Sequence, residues 1–521
     1  MELKKELVQI EQMKGSAFTQ VTFDETYNLP DYLPDFFSVI LSRGDVRVDE
    51  TKAGPGHIIV KGAMKFKVLY RTGQNDWKVS SLEGEFPFQE TLVLENADEF
   101  DMPQAEIVLE DLTVQMMNSR KLNIRALMEI RVFARERRDL EIPVMLEDGA
   151  NAEVLTKEER FLELRYRGKE RCHIREEVKV PANKPNIRQI LWQQAQIFGM
   201  DTRVSEGKLT IQGEMQIFIV YLGEEEGRLQ WFEAKVPYQC NFQIPEADMD
   251  VIPYIIAKPQ ELKCTVEPDA DGEDRLILAE ADLPADVWLY RERKEEQIED
   301  MYALDRSLIP EWEPVQAVQL YMKNESKCRV NDSLQIQDTD SDILQICAGF
   351  GDVEMDRQEI VENGISVEGT VRVQVLYLTN SDSSPIGALE GMLPFQYVVE
   401  IPDITPDCRV EMNSMLELLS FLMKSSKELE VQAVVNIQAL VTSHRELNLI
   451  RDVREEDLKI EELNNQPGMV GLTVTSQDNL WNIAKKYHTT VEAIRKTNHL
   501  EDKPVTDGMK ILLMKEFSLN K

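Results

Sequence analysis

The stretch that decides the fold is residues 58–70, which read Ile-Ile-Val-Lys-Gly-Ala-Met-Lys-Phe-Lys-Val-Leu-Tyr. After the glycine, apolar residues alternate with lysines, so Met64, Phe66, Val68 and Tyr70 share one side of the chain. A period of two residues is typical of a β-strand with one buried face. We therefore predict a strand here that covers a core.

The same stretch occurs three times. Residues 209–221 read Leu-Thr-Ile-Gln-Gly-Glu-Met-Gln-Ile-Phe-Ile-Val-Tyr, and residues 365–377 read Ile-Ser-Val-Glu-Gly-Thr-Val-Arg-Val-Gln-Val-Leu-Tyr. Each copy has a glycine, a tyrosine eight residues later, and a proline 16 or 17 residues beyond the tyrosine: Gly62/Tyr70/Pro87, Gly213/Tyr221/Pro237 and Gly369/Tyr377/Pro394. Three parallel sets of spacings indicate internal repetition. We expect each glycine to mark a bulge or a close backbone approach.

Other segments complete each repeat. Long alternating stretches that include Leu122, Ala279 and Leu429 predict antiparallel strands with one exposed face. The segments that follow Pro34, Pro185 and Ser341 are interpreted as one short helix per repeat, and residues 412–423 as a helix that covers a sheet. The sequence thus predicts a mainly β fold with α+β elements, in which three tandem β-rich domains each form a sandwich or a twisted sheet.

The composition of the chain argues against several classes of function. The chain has 521 residues with 59 Lys and Arg against 94 Asp and Glu, a formal net charge of −35. This balance argues against nucleic-acid or anionic-membrane binding, because both need a cationic surface. The six cysteines form no Cys-x-x-Cys pair, so we expect reduced, mostly buried thiols. We find neither a signal peptide nor an apolar stretch that could span a membrane.

The pattern changes near the C-terminal end. We predict strand–helix–helix–strand, with Asp478 as the N-cap of the first helix and an apolar stripe formed by Leu480, Ile483, Ala484 and Tyr487. Thr489 or Thr490 would cap the second helix. The predicted divisions are residues 1–150, 151–310 and 311–455 for the repeats, 456–470 for a polar linker, and 471–516 for this last module.

This last module resembles a LysM domain. The resemblance rests on Asp478-x-Leu480-Trp481-x-Ile483-Ala484-x-x-Tyr487, on Val491-x-x-Ile494-x-x-x-Asn498, and on Gly508-x-x-Ile511-x-Leu513. LysM domains typically bind N-acetylglucosamine polymers such as peptidoglycan or chitin. The resemblance places ligand or partner binding in two loops and the start of the first helix: Ser476, Gln477, Asp478, Asn479, Leu480, Trp481, Asn498, His499 and Leu500.

One loop departs from the family's pattern. LysM domains usually have Gly-Asp-Thr or Gly-Asp-Ser in the first loop, whereas this chain has Gln477-Asp478-Asn479. A side chain therefore stands where backbone and sugar would approach closely, which weakens the inference of sugar binding but not of the fold. Trp481 is either a core residue, which its helical spacing favours, or a partly exposed platform.

Three β-rich repeats followed by a LysM domain resemble the SPOCS-repeat spore coat morphogenetic proteins of endospore-forming Firmicutes. The resemblance implies a location in the mother-cell cytoplasm at the forespore surface. It also implies, as partners, the ATPase of the coat's basal layer and other coat proteins. By the same resemblance, the LysM domain is expected to take part in the contact with the ATPase.

The sequence carries no signature of an enzyme. It contains no G-x-x-x-x-G-K-[ST] loop and no G-x-S-x-G turn, and its five histidines form no H-E-x-x-H motif. We therefore expect no catalytic residue, no metal site and no cofactor. Two functions stay open: a non-enzymatic scaffold for coat assembly, and a LysM protein that binds peptidoglycan with the repeats as spacers.

Overall fold

The first repeat is a sandwich of two antiparallel sheets. The computed structural model describes residues 2–73, 78–147, 152–224, 228–336, 342–381, 384–457, 467–500 and 504–514. In the first repeat a middle sheet has the order β2–β3–β4, and a terminal sheet, which contains the first and last strands, has the order β1–β6–β5. The strands are β1 (Leu3–Asn28), β2 (Ser38–Gly54), β3 (His57–Arg71), β4 (Val79–Val93), β5 (Met102–Asn118) and β6 (Lys121–Leu146).

The other two repeats have the same plan. The second consists of β7 (Ala152–Lys179), β8 (Ile187–Ser205), β9 (Lys208–Gly223), β10 (Leu229–Gln243), β11 (Ile252–Ala257), β12 (Gln260–Pro268) and β13 (Asp274–Ala303). Here β11 and β12 both pair with β13, where the other repeats have one strand. The third consists of β14 (Arg306–Gln335), β15 (Ile343–Val361), β16 (Gly364–Thr379), β17 (Ile386–Glu400), β18 (Arg409–Ser425) and β19 (Glu428–Asp457).

The predicted mainly β architecture is confirmed. The side chains that alternate along β6 from Leu122 to Val132 are fully buried, and they share one core with Met64, Phe66 and Tyr70 of the middle sheet. Equivalent cores lie between the two sheets of the second and third repeats. Most of these strands bury apolar side chains on only one side. The alternation of apolar and polar residues in the sequence therefore predicted the strands correctly.

The predicted short helices are wrong. The segments after Pro34 and Pro185 and around residues 342–346 lead into strands β2, β8 and β15, and Ser341 itself lies outside the described residues. Each of these strands carries a register shift near its start, at Val39/Leu41, Ile190/Trp192 and Ile346/Ala348. A β-bulge adds one residue, which breaks the two-residue period and imitates helical spacing.

The predicted helix at residues 412–423 is also wrong. This segment belongs to strand β18, which pairs with β19. A register shift between Leu416 and Leu418 again interrupts the alternation. The same local feature, a bulge, therefore accounts for both errors.

The repeat glycines mark close backbone approaches, as predicted. A Cβ atom at Gly62, Gly213 or Gly369 would overlap a carbonyl oxygen of the neighbouring strand and the ring of an aromatic residue. These rings belong to Phe88, Tyr238 and Phe395, which pair directly with the glycines. A bulge in the other neighbouring strand lies beside each glycine.

Two of the repeat tyrosines fix the segment that leads into the middle sheet. The Tyr70 hydroxyl donates to the Pro34 carbonyl oxygen at 3.0 Å, and the Tyr221 hydroxyl donates to that of Pro185 at 2.9 Å. Both rings are fully buried. The proline and the tyrosine are 36 residues apart in both repeats, because the same hydrogen bond joins them in each.

The three repeats pack around a common pseudo-threefold axis. Leu69, Val220 and Leu376, which immediately precede the repeat tyrosines, lie in one buried cluster together with Leu41, Trp192 and Ala348. A second cluster combines the long ends of the three terminal sheets, with Ile142, Leu164 and Leu449 among its members. The repeats therefore form one body with shared cores.

A buried charge cluster lies between the repeats. Arg135 of β6 donates to both carboxylate oxygens of Glu411 in β18, at 2.7 and 3.0 Å, and to Glu11 at 3.1 Å. Arg167 of β7 donates to the other oxygen of Glu11 at 2.8 Å. The guanidinium groups of Arg135 and Arg167 also lie over the ring of Trp288. All three repeats contribute to this network.

The expectation that all cysteines are reduced is wrong for two of them. Cys172 of β7 and Cys240 of β10 form a disulfide with a Cα–Cα distance of 5.6 Å. These strands belong to opposite sheets of one sandwich, and 68 residues separate the two cysteines in sequence. The pairing is therefore visible only in three dimensions. Cys264, Cys328, Cys347 and Cys408 are free thiols.

Candidate functional site

The C-terminal module has the predicted order of elements. It consists of β20 (Met469–Thr473), α1 (Leu480–Lys486), α2 (Val491–Asn498) and β21 (Lys510–Met514), and the two strands pair antiparallel. Ile483, Ala484 and Ile494 are buried between the helices and the sheet. Residues 458–466 of the predicted linker lie outside the described residues.

The helix caps differ in part from the prediction. Asn479, not Asp478, is the N-cap of α1, since its side chain accepts from the backbone N–H of Asn482 at 2.7 Å. The Asp478 carboxylate instead accepts from the backbone N–H and the hydroxyl of Thr475, at 2.9 and 2.7 Å. These hydrogen bonds lower the pKa of Asp478. Of the two candidates for α2, Thr490 is the cap.

The module is docked on the end of strand β13 in the second repeat. The Trp481 Nε1–H donates to Asp300 Oδ2 at 2.8 Å, and the Lys485 ammonium donates to Asp300 Oδ1 at 2.6 Å. The Tyr302 hydroxyl donates to the Thr489 carbonyl oxygen at 2.9 Å, and its ring meets that of Trp481 edge to face at 4.9 Å. Trp481 is thus an interdomain contact, rather than a pure core residue or a free platform.

A β-bulge orients this contact. The register of β13 shifts between Ile298 and Asp300, so Glu299 is an extra residue in the strand. Bulges commonly redirect a side chain at the end of a strand. Residues Asp300 and Tyr302 were missed by sequence reasoning. The sequence did offer one signal: Tyr302 is the last residue but one of β13. The last strands of the other two repeats have the non-aromatic residues Met145 and Glu456 at that position.

The two loops predicted to bind a ligand or partner lie side by side. Both leave the module's sheet at one end, because Thr473 at the end of β20 pairs with Lys510 at the start of β21. The Val474 N–H donates to the Met509 carbonyl oxygen at 2.8 Å, and the Gly508 N–H donates to that of Val474 at 2.9 Å. The surface of these loops is formed by exposed polar residues: Ser476, Gln477, Asn479 and His499.

Several of the predicted site residues instead hold the loops in place. Asn498 donates from Nδ2 to the carbonyl oxygens of Ile494 and Leu512, at 2.9 and 2.7 Å, and accepts from the Leu512 N–H at 2.6 Å. Leu500 is buried in the module's core, and Leu480 packs against it. His499 follows Asn498 in the left-handed conformation with φ 51°, which turns the chain out of α2.

Within the described ranges, no group of three or more His, Cys, Asp or Glu side chains is arranged to hold a metal ion. None of the helices in those ranges has the length and apolar character needed to cross a membrane.

Comparison with known protein families identifies the modules. The SPOCS domain family of SipL matches residues 35–117, 186–267 and 342–424, one match in each repeat. The LysM domain family matches residues 472–511. No curated protein and no solved structure matches the chain significantly. The chain therefore has the SipL-like architecture of three SPOCS domains followed by one LysM domain.

Proposed function

We propose that this protein is a non-enzymatic scaffold for assembly of the spore coat. In this proposal it links the ATPase of the coat's basal layer to the forespore surface from the mother-cell side, through its LysM domain and its repeats. The combination of three SPOCS domains with a LysM domain in one chain carries the proposal, because SPOCS domains of the SipL type indicate a role in sporulation.

The position of the LysM domain supports a role in binding. Its α1 face contacts the second repeat through Trp481 and Lys485, which leaves the two loops as the exposed part of the predicted site. Residues 469–521 contain eight basic and six acidic residues, in a chain whose net charge is −35. The module therefore offers a partner a different charge from the repeats, and such complementarity favours specific association.

The test is a binding assay between the full chain and the basal-layer ATPase. A Gln477→Ala/His499→Asn variant changes two exposed loop side chains, and asparagine tolerates the left-handed backbone at position 499. We expect this variant to bind the ATPase about tenfold more weakly, the loss of about 1.4 kcal/mol expected from removing good interface contacts. Glu492→Gln, on the exposed side of α2, is the matched control and should bind normally.

A second candidate function is LysM-mediated binding of peptidoglycan. The LysM match and the polar surface of the two loops favour it. A tetramer of N-acetylglucosamine is the probe. If the loop variant loses affinity for this tetramer while its affinity for the ATPase is unchanged, the peptidoglycan function replaces the scaffold proposal.

A further inference from the structure

A large cleft lies between the second and third repeats, far in sequence from the LysM loops. Its volume is about 940 Å³. One wall is the middle sheet of the second repeat, with Gly199 and Tyr238, and the other is the terminal sheet of the third, with Lys323, Glu417 and Asn436.

The second repeat departs from the other two at this cleft. The ring that covers the repeat glycine is Phe88 in the first repeat and Phe395 in the third, but Tyr238 in the second. The extra residue of the adjacent bulge is Asp49 or Asp356 in those repeats, whereas in the second it is Gly199, one position earlier. The cleft thus gains a hydroxyl at Tyr238, which the fold itself does not require. It also lacks a side chain at Gly199, where the left-handed backbone with φ 61° favours glycine.

Three polar atoms at the cleft have no partner within the described chain. The Tyr238 hydroxyl is one, although the residue is only 4 % exposed. Asn436 is 9 % exposed, and while its Nδ2 donates to Glu325 at 2.6 Å, its Oδ1 accepts nothing. The third is Glu417 Oε2. Buried polar atoms are almost always hydrogen-bonded, so these groups indicate a site for a ligand that donates hydrogen bonds.

The charges of the lining define that ligand further. Four carboxylates line the cleft, those of Glu176, Asp201, Glu325 and Glu417, against two ammonium groups. Both ammonium groups are engaged: Lys323 donates to the Pro253 carbonyl oxygen at 2.7 Å, and Lys327 pairs with Glu417 at 2.5 Å. Asp201 is engaged as well, since it accepts from Arg203 at 3.1 Å and from Gln212 at 2.9 Å. With four carboxylates against two ammonium groups, the lining still has an excess of negative charge, and it retains the three unpartnered polar atoms.

We propose that this cleft binds an arginine side chain presented by an extended peptide segment of a protein partner. A guanidinium carries a positive charge and five N–H donors and has no acceptor, which matches an acidic site with free acceptors. The volume accommodates a few residues on each side of the arginine. A neutral sugar supplies donors but no charge, so the lining favours the peptide. This site is independent of the LysM loops and of the function proposed for them.

The experiment measures binding of Ac-Gly-Arg-Gly-Arg-Gly-NH₂ to the full chain by calorimetry. The same peptide with citrulline in place of arginine keeps the shape and removes the charge. We expect at least tenfold weaker binding of the citrulline peptide, and about fivefold weaker binding of the arginine peptide to Glu417→Gln. Tyr238→Phe, which installs the residue of the other two repeats, should weaken binding about threefold without a change in charge.

Tyr32→Phe is the matched control, since Tyr32 is 85 % exposed and lies outside the cleft. It should bind as the wild type does. Equal affinity of the wild type and Tyr238→Phe would overturn the proposal, because the peptide would then be held by general attraction to an acidic protein. No measurable binding would also overturn it. Binding of an N-acetylglucosamine tetramer that depends on Tyr238 would replace it with a sugar site.

Discussion

The repeat glycines show how one residue determines local structure. At Gly62 the aromatic ring of Phe88 and the Arg47 carbonyl oxygen occupy the space that a side chain would need. The glycine, the bulge beside it and the ring above it form one unit, and this unit recurs in all three repeats. The glycine was readable from the sequence because its spacing to the tyrosine is constant. A bulge was one of the two alternatives expected at the glycine itself, but it lies in the neighbouring strand, where the extra residue is Asp49, Gly199 or Asp356.

Gly369→Ala should destabilise the third repeat. The added methyl group would overlap the Glu354 carbonyl oxygen and the Phe395 ring, and backbone cannot move aside cheaply. We expect a loss of about 1–3 kcal/mol. Chemical denaturation followed by circular dichroism measures it. Gly471→Ala, where a Cβ meets nothing within 4 Å, is the control and should have little effect. Equal effects of the two substitutions would contradict this explanation.

His444 should make stability depend on pH. Burial, together with the nearby Arg409, lowers the pKa of His444 from 6.5 to about 4, although Glu411 acts in the opposite direction. The folded state thus holds a neutral imidazole, which the unfolded chain protonates below pH 6.5. This contribution to stability is present above pH 6.5 and is lost as the pH falls towards 4.

The measurement compares the wild type with His444→Gln at pH 7 and pH 5. Because the ring is partly exposed, we expect the wild type to lose only about 1–2 kcal/mol more than the variant between these two values. The variant also provides the control for carboxylates that titrate in the same range. A difference of zero between the two proteins would exclude His444 as the cause.

At the scale of elements, bulges explain where sequence reasoning failed. Strands with regular alternation, such as β3 and β6, were predicted correctly because each buries one face. The segments that lead into β2, β8 and β15, and residues 412–423 of β18, were interpreted as helices because a bulge displaces the apolar residues by one position. For the docking of α1 on β13 the sequence offered only the unusual aromatic residue Tyr302, because the contact depends on a bulge at Glu299 and on the folded position of two distant segments.

Asp300→Ala should release the LysM domain from the second repeat. The carboxylate is the common acceptor for Trp481 and Lys485, so its removal leaves both donors without their partner. We expect a loss of about 1–3 kcal/mol in docking. Hydrogen exchange of residues 480–490 in the full chain, with strand β21 as internal reference, measures it.

Glu299→Gln is the control for this docking contact. Glu299 is the neighbouring exposed residue of the bulge and should leave the exchange of residues 480–490 unchanged. If Asp300→Ala leaves that exchange unchanged as well, the contact does not hold the module in place.

At the scale of the whole molecule, the repeats depend on one another. The sequence indicated three similar domains, but it carried no signal for their arrangement, since the axis-facing residues differ in type. Leu41, Trp192 and Ala348 occupy equivalent positions with very different volumes. Such a contact is recognisable only when all three repeats are seen together, because a large residue in one repeat is accommodated by a small residue in another.

Arg135→Ala should weaken the assembly of the three repeats. It would leave Glu411 without its bidentate partner, and it would remove one of the two arginines that hold Glu11, whose side chain is 3 % exposed. Breaking a buried ion pair on one side costs about 3–5 kcal/mol. Arg125→Ala is the control in the same strand, since its pair with Asp24 is exposed and is worth about 1 kcal/mol or less. Similar unfolding midpoints for the two variants would contradict a structural role of the cluster.

The pseudo-threefold axis has a consequence for how many repeats the chain can hold. In a solenoid each new repeat stacks on the last, so the array can lengthen without limit. Here each SPOCS domain already has a neighbour on both sides, and the three surfaces that face the axis cover one another. A fourth copy could not reach these two clusters without displacing one of the three. In this chain the three repeats therefore close a ring rather than begin an array.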